Sequence, residues 1–575
     1  MALPLVPALT PGWPRSGGLP ALLLAIPLAA YGVARARRGT LTPAVLLLTA
    51  AFPLYALYTG NGVNLTTGDN AATRVLPSLL LTRGTVDLSG TTPFDGPNPH
   101  YAGVRVGARV LNAFPSGTAL VALPHAALAL LGSGGAATKH LVSRWDKHAS
   151  ALLCVAAASF LFLALRRWGD AEALGAAAVF ALASPVPSGA AQSLWSITGE
   201  TFAICLALWL LLRARALPAA AGFAMAAAFA CRPTALIPAL AMGGALAALA
   251  TTDRRGILRY AAALGGGVAL VAAGQFALYG HVLGAYGSMN TAERAFNAHL
   301  VSGLAGVLAS PSRGLLVFCP WVLLVPFGLR RAWRTDRRLF TWIAASLVVS
   351  AGILLLASAH VMWWGGWSLG PRLATEATPF LALACIPLFR SKRPIRRLLL
   401  ALLAIAATTQ FLLAYNLAAS DWNGRVLDRA GRRALWYWDR GQLAAAWGAS
   451  AHIDGAPATT PGGDDLLGSV DEPAQDETVA GRLHVRGWAR IPGADLPVTV
   501  YLDDEPRPPV SSARLPRPDV CAAIPALGDC ASAGYEVVLD FRAGDAGEHE
   551  INAIFRAPDG RVRRYPARPF AWKKD

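Results

Sequence analysis

Charged residues are scarce in this sequence. Only 15% of its 575 residues are Asp, Glu, Lys or Arg, and 54% are hydrophobic, whereas soluble domains usually carry about 25% charged residues. Several motifs of soluble enzymes are also absent: there is no Walker phosphate loop, no HExxH, no GxSxG and no Cys/His cluster at ligand spacing. These absences argue against the commonest ATPases, zinc peptidases and serine hydrolases, and the composition indicates a polytopic membrane protein.

The apolar runs predict about twelve transmembrane helices, because about 20 apolar residues are needed to cross the hydrocarbon core of a bilayer. The candidate segments are residues 19–35, 42–59, 149–167, 172–190, 198–213, 217–231, 234–250, 259–279, 314–331, 339–358, 373–390 and 396–415. Between them the sequence leaves no long cytoplasmic segment in which a nucleotide-sugar domain could fold. Any glycosyl donor is therefore expected to come from the membrane.

The net charge of +17 does not indicate a nucleic-acid partner. The basic residues occur as short clusters between the apolar segments, for example at residues 35–38, 166–167 and 330–338. With twelve spans, all of these clusters fall on one side of the membrane, which the positive-inside rule identifies as the cytoplasmic side. The pattern predicts a multi-pass protein with both termini outside the cytoplasm.

Three regions follow from the composition. Residues 1–420 form the predicted membrane core, which includes a long external loop at residues 60–147 with helices expected at 72–81 and 117–131. Residues 421–475 are predicted to be an external juxtamembrane segment and linker. Residues 476–575 contain short alternating runs separated by Gly, Pro and Asp, which are typical of a small all-β sandwich.

Two of the seven cysteines, Cys521 and Cys530, lie in the polar C-terminal region. They stand nine residues apart, without a CxxC motif or a His partner at ligand spacing. This arrangement favours a disulfide over a metal site and places the region in an oxidising compartment.

The first candidate site lies in the long external loop. Asp69 is flanked by Gly68 and Asn70 in TTGDNAATR, and the same loop contains Arg74, Tyr101 and Arg105. A carboxylate in this position is either a general base that accepts the proton of an attacking sugar hydroxyl or the cap of a helix that begins near residue 71. The local sequence leaves both interpretations open.

Two arginines in other segments are candidate anion ligands. Arg232 in ACRPTAL interrupts an apolar region, where an arginine usually faces a ligand or a partner such as Glu200. Ser312 and Arg313 in SPSRG precede an apolar span, where a helix start, a hydroxyl and a guanidinium together suit an anion. A Ser-Pro helix cap with a snorkelling arginine explains SPSRG equally well.

The segment WWGGWSLGPR also precedes an apolar span. It contains Trp363, Trp364, Trp367 and Arg372, and Glu376 follows one turn later. Tryptophans in such a place either stack on sugar rings or anchor the chain in the interfacial aromatic belt. Three tryptophans beside paired glycines and an arginine favour the first interpretation.

Five segments, taken in order, resemble a broad family of bacterial membrane glycosyltransferases of the GT-C fold, which includes protein mannosyltransferase-like and lipid A aminoarabinose transferase-like enzymes. They are TTGDNAATRVLP, NAFPSGTALVALP, CRPTAL, SPSRGLLVFCP and WWGGWSLGPRLATEATPF. The resemblance covers about residues 15–420. Members of this branch often have a His in the segment matching residues 196–200, where this chain has none, so a proton-transfer role for that segment is in doubt.

The resemblance implies an inverting transfer of sugar from a polyprenyl-phosphate-linked donor to a glycan, lipid or protein acceptor, at the external face of a bacterial inner membrane. Asp69 is the implied base. The expected ligands of the donor phosphate are Arg74, Arg232, Ser312, Arg313 and Arg372, and the expected substrate contacts are Tyr101, Arg105, Glu200, Trp363, Trp364, Trp367 and Glu376. No cofactor is required by the pattern, and a divalent metal is left open. A transporter or flippase of a lipid-linked glycan is the competing interpretation.

Overall fold

The computed structural model describes most of the chain between residues 31 and 573. The described residues are 31, 34–35, 38–39, 42–94, 100–132, 139–249, 254–289, 295–296, 300–427, 431–448, 466–474, 477–503, 505–541, 547–565 and 568–573. Most of the predicted first span, residues 19–35, and part of the predicted linker, residues 449–465, lie outside them.

The chain divides into two compact units. The first comprises Met1–Ser420 together with Gln442–Gly448, and the second comprises Asp421–Gly441 together with Ala449–Asp575. The first unit is mostly helical and the second contains mostly β-strands. The short helix Gln442–Ala446 therefore belongs to the helical unit, although the sequence placed it in a separate juxtamembrane segment.

Among the described residues of the first unit, four helices are long and apolar enough to cross a membrane. They are Trp145–Trp168, Arg254–Tyr279, Arg337–Ala359 and Arg393–Tyr415, with lengths of 23 to 26 residues. Each coincides with a predicted span, since each has an uninterrupted apolar run of the length that the hydrocarbon core requires. The structure thus confirms four membrane-length helices, and the count of twelve stays a prediction.

Other predicted spans form shorter or interrupted helices. Proline is one physical reason, because it cannot donate the backbone hydrogen bond and it clashes with the preceding turn. The predicted span 172–190 stops being an α-helix at Leu182, before Pro185, and the span 314–331 is divided at Pro320.

The remaining helical elements of the described chain are shorter, apart from Lys139–Leu165, which together with Arg166–Trp168 contains the membrane-length stretch Trp145–Trp168. Before residue 250 they are Pro43–Leu46, Leu47–Ala51, Phe52–Thr59, Gly68–Asn70, Ala71–Arg83, Gly117–Val121, Leu123–Gly132, Lys139–Leu165, which continues into Arg166–Trp168, and Asp170–Leu182, Val186–Ala190, Ser196–Leu212, Pro218–Cys231, Pro233–Ala235 and Leu236–Leu249. After it they are Gly284–Met289, Leu300–Ala309, Leu315–Phe318, Pro320–Leu324, Val325–Thr335, Arg372–Ala377, Thr378–Leu383, Cys385–Phe389, Leu417–Trp422, Asn423–Leu427, Gly431–Trp436, Gln442–Ala446, Pro518–Ala523 and Pro525–Leu527.

The long loop after residue 60 is an ordered structure with its own core. Its helices Ala71–Arg83, Gly117–Val121 and Leu123–Gly132 confirm the two predicted helical stretches. An antiparallel hairpin that the sequence did not predict, β1 (Gly103–Val106) and β2 (Arg109–Asn112), lies between them. Apolar side chains from this loop pack together and hold it in place; they include Ala72, Leu79, Leu88, Phe94, Ala102 and Val110.

The second unit contains two β-sheets that share a hydrophobic core. Its strands are β3 (Leu467–Glu472), β4 (Glu477–Ala480), β5 (Leu483–Ile491), β6 (Ala494–Asp495), β7 (Val498–Leu502), β8 (Glu505–Pro506), β9 (Ser511–Leu515), β10 (Gly534–Leu539), β11 (Gly547–Arg556), β12 (Val562–Arg564) and β13 (Arg568–Lys573). One sheet has the order β3-β5-β10-β9 with β6 beside β5, and the other has β4-β13-β11-β7-β8 with β12 beside β11.

The alternating runs fold as strands because every second side chain reaches the shared core. In β5, for example, Leu483 and Val485 are buried whereas His484 and Arg486 between them are exposed. Cys521 and Cys530 form a disulfide with their Cα atoms 5.8 Å apart. Both cysteines contact a small apolar cluster beside the first sheet.

Candidate functional site

Asp69 lies in the middle of a 3-10 turn, Gly68–Asn70, that leads directly into the helix Ala71–Arg83. Asn70 is the N-cap residue of that helix, and no side chain makes a capping hydrogen bond there. The structure therefore does not use Asp69 as a helix cap. About a third of its side chain (33%) is exposed, so the carboxylate can be reached from outside.

Two side chains orient the Asp69 carboxylate. The Tyr101 hydroxyl donates to Oδ1 at 2.9 Å, and the Arg372 guanidinium donates to Oδ2 from Nη1 at 3.2 Å and from Nη2 at 3.1 Å. The two partners are 32 and 303 residues away in the sequence. Three separate segments of the chain thus meet at one carboxylate, and each carboxylate oxygen has its own donor.

Tyr101 is the donor in its hydrogen bond with Asp69 at neutral pH. Partial burial and the neighbouring Asp69 carboxylate raise its pKa well above the ordinary value, so the phenol keeps its proton. The close approach of the Tyr101 ring also explains Gly68, because a Cβ atom at that position would collide with the ring and its hydroxyl.

Arg372 is held from a second direction by an aromatic ring. Its guanidinium carbon lies 4.5 Å from the ring centroid of Trp195, a distance at which the cation is attracted to the face of the ring. The side chain is 15% exposed. Trp195 and Asp69 together fix the guanidinium, and the ion pair remains partly exposed.

The turn that carries Asp69 is anchored to a buried aspartate that the sequence analysis did not identify. Asn70 donates to Ser193 Oγ at 2.7 Å, and Ser193 in turn donates to Asp146 at 2.8 Å. Asp146 is fully buried and also accepts a hydrogen bond from the Leu194 amide at 2.6 Å. Arg74 pairs with this aspartate at 2.6 Å, so its observed partner is Asp146 and its role in the structure is to hold the turn.

A second cluster surrounds Arg232. Its guanidinium Nη1 lies 3.8 Å from Glu376 Oε1, and the hydroxyl of Thr234 lies 2.8 Å from Glu376 and 3.5 Å from Glu200. Both carboxyl groups are buried. A threonine has one hydroxyl proton and can donate to only one of the two acids. The other acid can contact the Thr234 oxygen only as a donor, so this geometry accommodates one proton on the glutamate pair.

The Asp69 and Arg232 clusters share one structural element. The 3-10 helix Arg372–Ala377 carries Arg372 at its start and Glu376 near its end. His360 also lies near Arg232: burial and the arginine's charge lower the pKa of His360, so its imidazole is neutral at pH 7. A movement of the Arg372–Ala377 turn would change both clusters together.

Arg313 is buried, and it donates to several neutral oxygens. Its Nε donates to Trp364 O at 3.0 Å, its Nη2 to Gly366 O at 3.1 Å, and its Nη1 to Ser312 O at 2.8 Å and to Gln442 Oε1 at 2.6 Å. Ser312 Oγ accepts from the Gln442 backbone amide at 3.3 Å. These contacts join the SPSRG turn to the tryptophan-rich segment.

The three tryptophans of that segment differ in exposure. Trp363 is buried (8% exposed) and Trp367 is 51% exposed, with Trp364 between them in exposure. The chain turns sharply here because Gly365 and Gly366 adopt positive φ angles of 72° and 69°, which L side chains rarely adopt. Of the three rings, Trp367 is the one best placed to stack on a ligand from outside.

The predicted site residues are thus only partly brought together. Asp69, Tyr101 and Arg372 meet directly, whereas Arg105 is exposed on β1. Sequence reasoning missed Asp146, Trp195, Thr234 and Gln442. The signals for two of them were weak: Asp146 occurs in WDKH before the first long apolar helix, and Gln442 occurs in a segment interpreted as juxtamembrane.

Among the described residues, no group of three or more His, Cys, Asp or Glu side chains is close enough to hold a metal ion. Comparisons of the chain with protein-family models, with curated proteins and with solved structures find no match.

Proposed function

We propose that this protein is an inverting membrane glycosyltransferase of GT-C type, which transfers a sugar from a polyprenyl-phosphate-linked donor to a glycan, lipid or protein acceptor. In this proposal Asp69 is the general base. The observation that carries it is the oriented and partly exposed Asp69 carboxylate, with donors on both oxygens from Tyr101 and Arg372.

The proposed topology has about twelve spans in a bacterial inner membrane, with the Asp69 loop and the β-unit outside the cytoplasm. It rests on the four membrane-length helices and on the distribution of the basic clusters along the sequence. It places the donor phosphate at the outer membrane surface, where the polyprenyl chain lies in the lipid and the acceptor arrives from outside.

The proposed reaction is a single displacement. The acceptor oxygen attacks the anomeric carbon, the bond between that carbon and the phosphate oxygen breaks, and the hydroxyl proton passes to Asp69. The products are the glycoside, with inverted configuration, and polyprenyl phosphate. An oriented base within hydrogen-bond reach of the attacking hydroxyl is the geometric requirement of this chemistry.

The charges around Asp69 favour the arrival of a phosphate. Arg313 and Arg372 are close enough to interact electrostatically, and Asp69 is the acid paired with Arg372. A planar guanidinium can exchange a carboxylate for a phosphate with the same bidentate geometry. In the proposal Arg372 turns from Asp69 to the phosphate, which releases one carboxylate oxygen to accept the proton.

The sequence predicted Arg232 to be a ligand of the donor phosphate. In this proposal Arg232 has a structural role instead. Its pair with the buried Glu376, at 3.8 Å, connects it to the Arg372–Ala377 turn. Arg232 therefore supports the site by holding this turn, and Arg372 is the proposed phosphate ligand.

A transporter or flippase of a lipid-linked glycan is the second candidate. The observation in its favour is the pair of Arg232 with the buried Glu376, beside the buried Glu200, because ionisable side chains inside a helical bundle often mark a transport pathway. The long ordered loop that presents Asp69 favours the enzyme.

The test is an assay of the purified protein in liposomes with a panel of polyprenyl-phosphate sugars and candidate acceptors. The enzyme releases polyprenyl phosphate and forms a new glycosidic bond. A flippase moves the lipid-linked sugar between leaflets and leaves its glycosidic bond intact. Movement without bond formation for every donor would reject the proposed function.

A further inference from the structure

A large cavity lies at the opposite ends of the helices from the Asp69 site. It has a volume of about 820 Å³, within the range of about 300 to 1,000 Å³ that is usual for ligand pockets. Arg338 and Trp342 line it from the first turns of the helix Arg337–Ala359, whereas His360, near Arg232, follows the last turn of the same helix. At 1.5 Å per residue, the two ends of this helix are about 33 Å apart.

The lining of this cavity combines positive charge with an apolar wall. Four arginines and one aspartate line it, so the charged residues of its lining sum to +3. The apolar part of the wall includes Leu163, Trp209, Leu249 and Trp342. The four arginines are Arg166, Arg167, Arg213 and Arg338. They come from three separate helix ends, so the fold and not a single basic run brings them together.

One of the four charges is already balanced. Arg166 donates to Asp170 from Nε at 2.7 Å and from Nη2 at 3.0 Å. Asp336, just before the helix that carries Arg338, accepts from the Trp168 indole at 2.9 Å and caps its own helix through the Leu339 amide at 2.9 Å. The nearby carboxylates thus have local partners of their own.

The other arginines are held mainly by contacts with neutral groups. Arg213 lies 5.1 Å from the centroid of the Trp209 ring, and Arg167 donates at 3.5 Å to the Leu212 carbonyl. The positive charge of Arg338 acts on Arg167 more strongly than the negative charge of Asp336 nearby. Like charges gathered at one cavity cost free energy, and an anion bound between them removes that cost.

We propose that this cavity binds the phosphate-bearing headgroup of an anionic lipid, as a site separate from the proposed catalytic one. The arginines contact the phosphate, and the apolar wall accommodates the glycerol and the first methylene groups of the lipid. A basic pocket between transmembrane helices on the cytoplasmic side is suited to such headgroups. Inorganic phosphate shares the charge but gains nothing from the apolar wall.

The test is native mass spectrometry of the full-length protein in neutral detergent, titrated with dioleoyl phosphatidylglycerol. Dioleoyl phosphatidylcholine is the neutral lipid control, and inorganic phosphate is tested as a competitor. We expect Arg213→Gln to weaken phosphatidylglycerol binding about 5-fold, and Arg167→Gln with Arg213→Gln about 25-fold, because each arginine near the surface contributes about 1 kcal/mol.

Arg215→Gln is the matched control. Arg215 is exposed in the same connection between helices as Arg213 but does not line the cavity, so its loss should leave binding nearly unchanged. Arg213→Lys keeps the charge and should retain most of the affinity, which separates loss of charge from misfolding.

Three results would overturn the proposal. The first is an equal loss of affinity in Arg215→Gln and Arg213→Gln, which would show diffuse attraction to the basic surface. The second is no preference for phosphatidylglycerol over phosphatidylcholine, and the third is full displacement of the lipid by millimolar phosphate. Because the readout is lipid binding, failure of the proposed glycosyltransferase activity leaves this test intact.

Discussion

The turns that carry Arg313 and Arg372 occupy similar places in the sequence, since each ends a polar segment just before an apolar helical stretch. In the structure Arg313 is buried and donates to backbone and amide oxygens, whereas Arg372 is partly exposed, stacks on Trp195 and pairs with Asp69. A guanidinium that donates to several neutral oxygens holds loops together. One that shares a single carboxylate can exchange it for another anion.

The comparison predicts that loss of Arg313 acts mainly on stability. Arg313→Gln leaves several buried carbonyl oxygens without a donor, at about 1 to 3 kcal/mol each, so the melting temperature in detergent should fall by many degrees. Arg313→Lys should rescue little of it, because an ammonium group cannot reproduce the spread of the guanidinium donors. A stable Arg313→Gln variant that has lost donor binding would show instead that Arg313 acts mainly on donor binding.

Arg372→Gln should act mainly on activity. The partly exposed pair with Asp69 contributes about 1 kcal/mol or less to stability, so the melting temperature should change little. Transfer should fall by about 100-fold, corresponding to a lost charge-assisted contact of about 3 kcal/mol with the phosphate. The measurement is sugar transfer beside thermal unfolding; a large drop in stability with intact specific activity would show that Arg372 is another structural arginine.

The two outer tryptophans provide a similar contrast with a smaller effect. Trp363 is buried against Gly306, and Trp363→Ala should lower stability by about 3 to 5 kcal/mol. Trp367 is exposed, and Trp367→Ala should leave stability unchanged but raise KM for the sugar substrate several-fold. Equal thermal stability of the two variants would contradict this assignment.

Tyr101→Phe is expected to have the smallest effect. It removes one hydrogen bond to Asp69, which is worth about 0.5 to 1.5 kcal/mol, so turnover should fall between about 2-fold and 12-fold. The pKa of Tyr101 is raised by burial and by Asp69. The phenol therefore keeps its proton and its hydrogen bond below this raised pKa, and the ratio of wild-type to Tyr101→Phe turnover should stay constant from pH 7 to pH 9.

Much of the fold could be predicted from the sequence. The four membrane-length helices have uninterrupted apolar runs, and the β-strands of the second unit show clear alternation, as in Leu483 to Arg486. The hairpin of β1 and β2 was missed, because GVRVGARVLN is short and lies between two apolar helical stretches.

The site could be predicted only in part. Asp69, Tyr101 and Arg372 were all named as candidates, but their meeting depends on contacts between residues 32 and 303 positions apart. Local pattern also could not show that Arg74 would pair with Asp146, because Asp146 looks like an ordinary polar residue at the start of a span. Whether an arginine holds the structure together or can bind a ligand depends on its burial and its partners. Burial is a property of the whole fold and cannot be read from a local sequence pattern.

The most direct test of the central claim is a comparison of Asp69→Asn with Asp87→Asn in one assay of donor binding and sugar transfer. Asp87 lies in the same loop and accepts hydrogen bonds from the amides of Ser89 and Val110, which the Asn carbonyl oxygen can still accept. Asp69→Asn should bind the donor but lose transfer by about 100-fold to 10,000-fold, while Asp87→Asn stays near wild type. Undiminished transfer by a folded Asp69→Asn protein would contradict the account.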